Sequence, residues 1–393
     1  MTPIRPPPAL EMADVIRRHA HLLKTPTTDH IRVLRRLAAC RTAALGGHVE
    51  TCDHCQHQRI AYNSCRNRHC PKCQACASAR WMEDRASELL PVEYFHVVFT
   101  LPPAFNALAL SNRCTVYAIL FKAVAQTLLE VAANPKHLGA RIGFLAILHT
   151  WGQNLSLHPH LHCVIPGGGL SADGRRWIAC RPGFFLPVRV LSRVFRGKFI
   201  DLLRRAWAKG RLRGLTDPAS FEALANAAVR DDWVVYAKPP FGGPAYVLKY
   251  LSRYTHKIAI SNHRLISMDD HNVSFRWKDY AHGNRQRVMT LEADEFLRRF
   301  LMHVVPRGFM RIRHFGFLAN RFRTGNLQTC RTLLCDNAGR GDAQDATVAS
   351  SSGDSVTDHS AHDQCPVCLR GRMLVGRQIE PQIILLHAWW DTS

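Results

Sequence analysis

The sequence has no long uninterrupted apolar run. Its opening, "MTPIRPPPALEMADVIRRHA", lacks the apolar centre of a signal peptide, and no stretch of ~18 apolar residues follows. A cytoplasmic chain, associated with the bacterial nucleoid through any DNA it binds, is therefore expected. Acidic residues are scarce: 30 Asp and Glu stand against 52 Lys and Arg, a formal net charge of +22. Such an imbalance suits a polyanionic partner, with nucleic acid the first candidate; a basic enzyme whose charge serves only solubility is the bland alternative. No GxxxxGK[ST] loop is present, so no nucleoside-triphosphate cradle is expected. Internal repeats are missing too, which excludes a solenoid. The 14 cysteines do not take the wide spacings of a disulfide scaffold; several form CxxC pairs, as metal ligands or reduced thiols do.

What is present reads as an ordinary globular protein, 393 residues long and 47% hydrophobic, enough for two or three domains. Residues 9–45 alternate apolar and basic faces near the helical period, and residues 48–80 are cysteine-rich and irregular. Strands are predicted in "VEYFHVVFTLPP" (92–103), "RIGFLAILHTW" (141–151), "HLHCVIP" (160–166) and "DDWVVYAKPP" (231–240). Helices are predicted over 105–133, within 185–213 and from near Pro244, with short strands in 257–290 and a basic helix and loop over 292–323. Residues 337–363, rich in Ser, Asp and Gly, read as a linker. Strands and helices mix without a βαβ rhythm, so an α+β fold with a largely antiparallel sheet is expected.

Three clusters carry chemistry. Cys52-x-x-Cys55 and Cys70-x-x-Cys73 can each present two thiolates to one tetrahedral ion, predicting a structural Zn²⁺ bound by all four. Cys65, His69 and Cys76 are further candidates, and "CRNRHCPKC" is basic enough to touch phosphate. A second pair, Cys365 and Cys368, has no evident partner pair downstream; Cys330 with Cys335, or His359 with His362, are options.

In the strand "LHPHLHCVIP", residues two apart share a face. His160 and His162 therefore project together, able to hold one divalent metal with open positions left for a phosphate oxygen; the bland alternative is a polar sheet edge. Pro159 sets His158 apart. An antiparallel pairing with "AILHTWGQN" brings His149 or Gln153 near, and His149 is preferred as the third ligand because imidazole suits borderline metals. In "AYVLKYLSRYTHK", Tyr246, Tyr250 and Tyr254 recur every four residues, flanked by Lys249 and Arg253. A core aromatic stripe is one reading; nucleophiles beside a metal-activated phosphodiester is the other. Arg311, Arg313, Arg321 and Arg323 alternate with Phe309, Phe315, Phe317 and Phe322, which suits a charged DNA-binding groove with stacking or packing aromatics; a helix-packing surface with solvated arginines is the alternative.

Together, "HPHLH" (158–162), "YLSRYTHKIAIS" (250–261) and "NSCRNRHCPKC" (63–73), with "LHTWGQNL" and "FLRRFLMHVVPRGFMRIRHFGFLANR", resemble the HUH endonuclease superfamily. Within it they resemble the two-tyrosine transposases of rolling-circle insertion sequences, the insertion-sequence-91 family. The resemblance runs from about residue 40 to about residue 325; Tyr246 is an extra tyrosine beyond the family pattern. It implies an antiparallel HUH core (RRM- or palm-like) behind a helical and zinc-ribbon-like module. The implied domains are 1–90 (zinc and DNA contact), 91–325 (catalytic) and 326–393 (linker and tail). His160, His162 and a third ligand would hold Mg²⁺ or Mn²⁺. Tyr250 or Tyr254 would attack single-stranded DNA at an element end, leaving a 5′-phosphotyrosine and a free 3′-OH. An HUH replication initiator or relaxase is the alternative of the same chemistry, and a non-catalytic zinc DNA-binding regulator the alternative of another class.

Overall fold

The computed structural model describes residues 9–74, 77–78, 86–214, 217–238, 247, 257–280, 282–338 and 364–382. The predicted tyrosine helix falls outside them except for Val247 and Lys257, so Tyr246, Lys249, Tyr250, Arg253 and Tyr254 are not described, nor are Cys76, His359 and His362.

Two amphipathic helices, Met12–His19 and Thr28–Ala38, open the described chain and pack on each other through Val15, Ile16, Leu34 and Leu37. The region read as irregular contains a hairpin, β1 (Gly47–Cys52) with β2 (Gln58–Tyr62). Next come β3 (Tyr94–Thr100), helices Asn106–Ser111 and Arg113–Ala133, β4 (Gly143–Trp151), β5 (Leu157–Pro166) and a small pair, β6 (Gly168–Leu170) with β7 (Trp177–Ala179). Helices Val188–Ala208 and Pro218–Ala228 precede β8 (Val235–Lys238). A meander follows, β9 (Leu265–Met268), β10 (Asn272–Asp279) and β11 (Arg285–Glu292), then helix Ala293–Met302, β12 (Ile312–Gly316), helix Arg323–Ala338 and β13 (Met373–Ile379).

The architecture is α+β. Its centre is a five-stranded sheet of order β12-β4-β5-β3-β8, antiparallel throughout. The period of two sorts its faces. Phe95, Val97, Phe99, Phe144, Leu161 and Cys163 meet helices Arg113–Ala133 and Val188–Ala208 in the main core. Fully burying one such side chain contributes roughly 1.5–3 kcal/mol. Helix Arg113–Ala133, within the predicted 105–133, is long and apolar enough to cross a membrane by length and composition alone, and 67% of its apolar window is buried within the protein. β12 was also missed: its basic text was read as helix and loop, yet Phe315 alternates inward against Phe144 and Phe121 while the strand pairs with β4.

The opposite face carries His96, His149, His160 and His162, with Tyr94, Leu145, Ile147 and Val164 beside them. Val247, fully buried, packs on this second apolar group. A further core joins the N-terminal helices to Trp151, Leu155, β9, β10 and helix Ala293–Met302, so the opening helices rest on the end of the sheet that bears the histidines.

Candidate metal centres and nucleic-acid interface

β5 occupies the middle of the sheet, and register sets the histidines. His149 of β4 is directly opposite His160, and His162 follows two residues on, on the same face. A bulge between His149 and Trp151 absorbs Pro159, which keeps a proline inside an otherwise paired strand. The three rings offer ligand nitrogens all within 4.8 Å of one another. Ring centroids are 4.4 Å apart for His149 and His162, and 4.8 Å for His160 and His162.

Second contacts fix which nitrogen faces the centre. The His160 Nδ1–H donates to the carbonyl of its own neighbour His158 at 2.6 Å, leaving Nε2 for the centre. His162 Nδ1 lies 2.8 Å from His96 Nε2, and the two rings stack at 5.0 Å. His96 was not singled out in the sequence, although it sits in "YFHVVFT" at the right parity; it faces Val164 across the ladder and reaches His162 diagonally. Burial, then His158 and Lys257 nearby, pushes His160 down to about 3. Burial likewise pushes His96 down to about 3, and holds His162 well below the usual range with help from its imidazole neighbours and Lys257. All three stay neutral at physiological pH, the form that donates a lone pair to a cation.

The cysteines correct the single zinc site expected from Cys52, Cys55, Cys70 and Cys73. The structure does not bring these four together. Cys70 and Cys73 join Cys40 and Cys65 in a fully buried cluster, while Cys52 and Cys55 meet Cys365 and Cys368. The β1–β2 hairpin separates them: Cys52 ends β1 and Cys55 lies in the turn, whereas the Cys70–Cys73 turn meets Cys40 just beyond helix Thr28–Ala38. In the buried cluster, Sγ–Sγ separations are 3.5 Å for Cys70 and Cys40, and 3.6 Å for both Cys40–Cys73 and Cys65–Cys73. Four sulfurs about 2.3 Å from a tetrahedral ion lie about 3.8 Å apart, so the donor set fits Zn²⁺. Hydrogen bonds from the Cys65 and Cys70 thiols draw Cys40 far below the ordinary thiol range. His69 is buried nearby and is not part of the cluster.

The arginines expected to line a groove separate into different surroundings. Arg311 is 8% exposed and its Nη1 donates to the Lys257 carbonyl at 3.2 Å, so it braces the chain rather than facing solvent. Arg313 lies over the Phe121 ring at 4.2 Å and Arg323 pairs with Glu88 at 3.2 Å. Phe309 and Phe317 are core residues, the packing rather than the stacking kind of aromatic. Only Arg321 and Phe322 retain the expected form, an exposed ring with a cation 5.2 Å above it. Cationic cavities occur elsewhere. One of about 670 Å³ is lined by Gln153, Arg264, Arg276, Trp277 and Lys278. Another, about 620 Å³, includes Arg32, Arg36, Arg66, Arg68 and Arg307 beside the buried cysteines. Gln153, the alternative third ligand, thus lines a cavity instead, and its carbonyl accepts from Arg264.

Three imidazoles gathered on one face of an antiparallel sheet, and four cysteines gathered in a buried cluster, are donor sets of the kind that hold metal ions. Comparison with known proteins makes the assignment specific. Residues 143–325 match the family described as "Putative transposase", and residues 11–101 match "Transposase zinc-binding domain". The chain is 52% identical to "Putative transposase y4qJ" of Sinorhizobium fredii, covering 98% of both chains. It is 30% identical to the transposase for insertion sequence element IS801 of Pseudomonas savastanoi pv. phaseolicola, over 77% of this chain and 74% of that one. The chain belongs to this transposase family, that of insertion sequence 91. Among solved structures, the conjugative relaxase TrwC with oriT DNA in its metal-bound form overlaps 42% of this chain and 71% of its own, at 13% identity and TM-score 0.25. TrwC with mutant oriT DNA overlaps 33% of this chain and about half (52%) of its own, at 18% identity and TM-score 0.22.

Proposed function

We propose that the protein nicks and rejoins single-stranded DNA at the ends of its insertion sequence through a 5′-phosphotyrosine intermediate, driving rolling-circle transposition. His149, His160 and His162 would hold Mg²⁺ or Mn²⁺, imidazole favouring the latter. Such an ion, when bound, polarises the scissile phosphate. His96 and the His158 carbonyl orient two of the ligands. Tyr250 or Tyr254 supplies the phenolic oxygen that attacks phosphorus; the 3′ oxygen leaves as the free hydroxyl and the 5′ phosphate stays on tyrosine. The second tyrosine accepts the other strand while the first is occupied. Lys249 and Arg253 neutralise phosphate beside them. Retention of bond energy in the phosphotyrosine removes any need for a nucleotide cofactor.

The observation that carries this reading is the pair of anchors around the tyrosines. Val247 is buried on the histidine face, and Lys257 lies close enough to His160 and His162 to depress both. Tyr250 is three residues from the first anchor and Tyr254 three from the second, a reach of at most ~11 Å along the chain in each case. The buried Cys40, Cys65, Cys70 and Cys73 would hold structural zinc in a DNA-contact module over residues 1–90, ahead of a catalytic domain over 91–325 and a tail over 326–393. The test is incubation with labelled single-stranded DNA carrying the element's end, followed by denaturation and peptide mapping. A denaturant-stable adduct on Tyr250 or Tyr254 is expected. A protein that binds the DNA yet forms no adduct with Mg²⁺ or Mn²⁺ is a regulator instead.

A further inference from the structure

Cys365 and Cys368 lie outside both matched family regions, 11–101 and 143–325. We propose that they complete a second zinc site with Cys52 and Cys55, an ion that clasps the C-terminal tail onto the N-terminal hairpin. The four thiols come from two CxxC turns about three hundred residues apart, and their ligand atoms lie within 4.8 Å of one another. Cys52 Sγ is 3.7 Å from Cys368 Sγ, and Cys55 Sγ is 3.6 Å from Cys365 Sγ. These separations match the edge of a tetrahedral Zn–S₄ centre, about 3.8 Å, and are far from the ~2.05 Å of a disulfide.

Backbone geometry supports the same assignment. The amides of His54 and Cys55 donate to Cys52 Sγ at 3.4 Å, and that of Gly371 donates to Cys368 Sγ at 3.4 Å, so each turn directs N–H groups at a sulfur that carries charge as a thiolate. The turns interlock: Asp53 N donates to the Arg372 carbonyl at 3.0 Å, and Arg372 N donates to Asp53 Oδ1 at 2.8 Å. Gly371 is required by this closure, since a Cβ there would stand 2.5 Å from Cys52 Sγ.

Beyond the turns, β13 pairs with β1 and completes a three-stranded sheet of order β13-β1-β2, a ribbon whose two metal-binding turns come from opposite ends of the sequence. The ribbon buries almost nothing apolar. Its own cluster is Cys52, Cys365 and Met373 with part of Cys368, while Ile60, Leu374 and Val375 are more than half exposed. A small sheet without a core is marginal, and a structural ion is the usual remedy.

Full-length protein purified without chelator should contain two zinc ions per chain. The Cys365→Ser, Cys368→Ser double variant should contain one, and amide exchange in residues 373–379 should lose its protection while that in helix Thr28–Ala38 is unchanged. Cys368→His, which preserves a zinc-competent donor, should restore the second ion and the protection. One zinc per chain in the unmutated protein, retained in full by the Cys365→Ser, Cys368→Ser double variant, overturns the proposal. So does a double variant that keeps both ions, or one in which residues 373–379 stay protected.

Discussion

His96 Nε2 and His162 Nδ1 lie 2.8 Å apart on the histidine-bearing face of the central sheet, so the orientation of one candidate metal ligand is set by a residue outside the ligand trio. Removing such a partner ordinarily weakens metal affinity about 10- to 100-fold. His96→Ala is expected to raise the Mn²⁺ concentration for half-maximal adduct formation by that factor while reaching a similar plateau. His162→Ala should give no adduct at any Mn²⁺ concentration, with duplex binding retained. A His96→Ala protein whose Mn²⁺ titration is unshifted would show that the contact is packing alone.

Tyr250→Phe and Tyr254→Phe each remove one oxygen. Each is expected to stop complete transposition in a mating-out assay, and at least one should still form a single covalent adduct. Full transposition by Tyr250→Phe reduces the protein to a one-tyrosine enzyme. Adduct formation by the double variant moves the chemistry to Tyr246 or elsewhere.

The arginines should divide by burial. Arg311→Ala removes a buried cation that donates to the Lys257 carbonyl, and is expected to cost about 1.5–3 kcal/mol of stability in denaturant titration. Arg321→Ala, at the exposed site beside Phe322, should leave stability unchanged and lower the slope of log K against log salt by about 1. The reverse pattern would return Arg311 to the DNA interface.

Cys40 ends the helical pair and contacts both Cys70 and Cys73. Cys40→Ser is therefore expected to lower the zinc content by one equivalent and to expose helices Met12–His19 and Thr28–Ala38 to proteolysis. Unchanged zinc content would exclude Cys40 as a ligand.

Much of the histidine centre was legible because its logic is local. A period of two puts His160 and His162 on one face, and one antiparallel pairing supplies His149. His96 escaped because a lone histidine in an apolar strand looks like any buried polar residue until β3 is known to flank β5. The cysteine partition was illegible for a different reason. Two CxxC pairs with a short loop between them look self-sufficient, and nothing in spacing joins one to a lone Cys40 behind an amphipathic helix and the other to the distant Cys365–Cys368 pair. β12 was hidden by its own composition: Arg313 reads as solvent-facing, yet its guanidinium lies over Phe121 and Phe309, aromatic residues outside the strand.

The pairing of β1 with β13 has a temporal side. Cys55 and Cys365 are 310 residues apart, and a ribosome adding about 5–20 residues per second takes roughly 15–60 s to travel that distance. For that interval the newborn hairpin has one edge of β1 open, with unsatisfied N–H and C=O groups that another strand can join. Only a chain translated past residue 379 can close that edge with its own sequence, so the sheet records in its third strand that synthesis has passed that point.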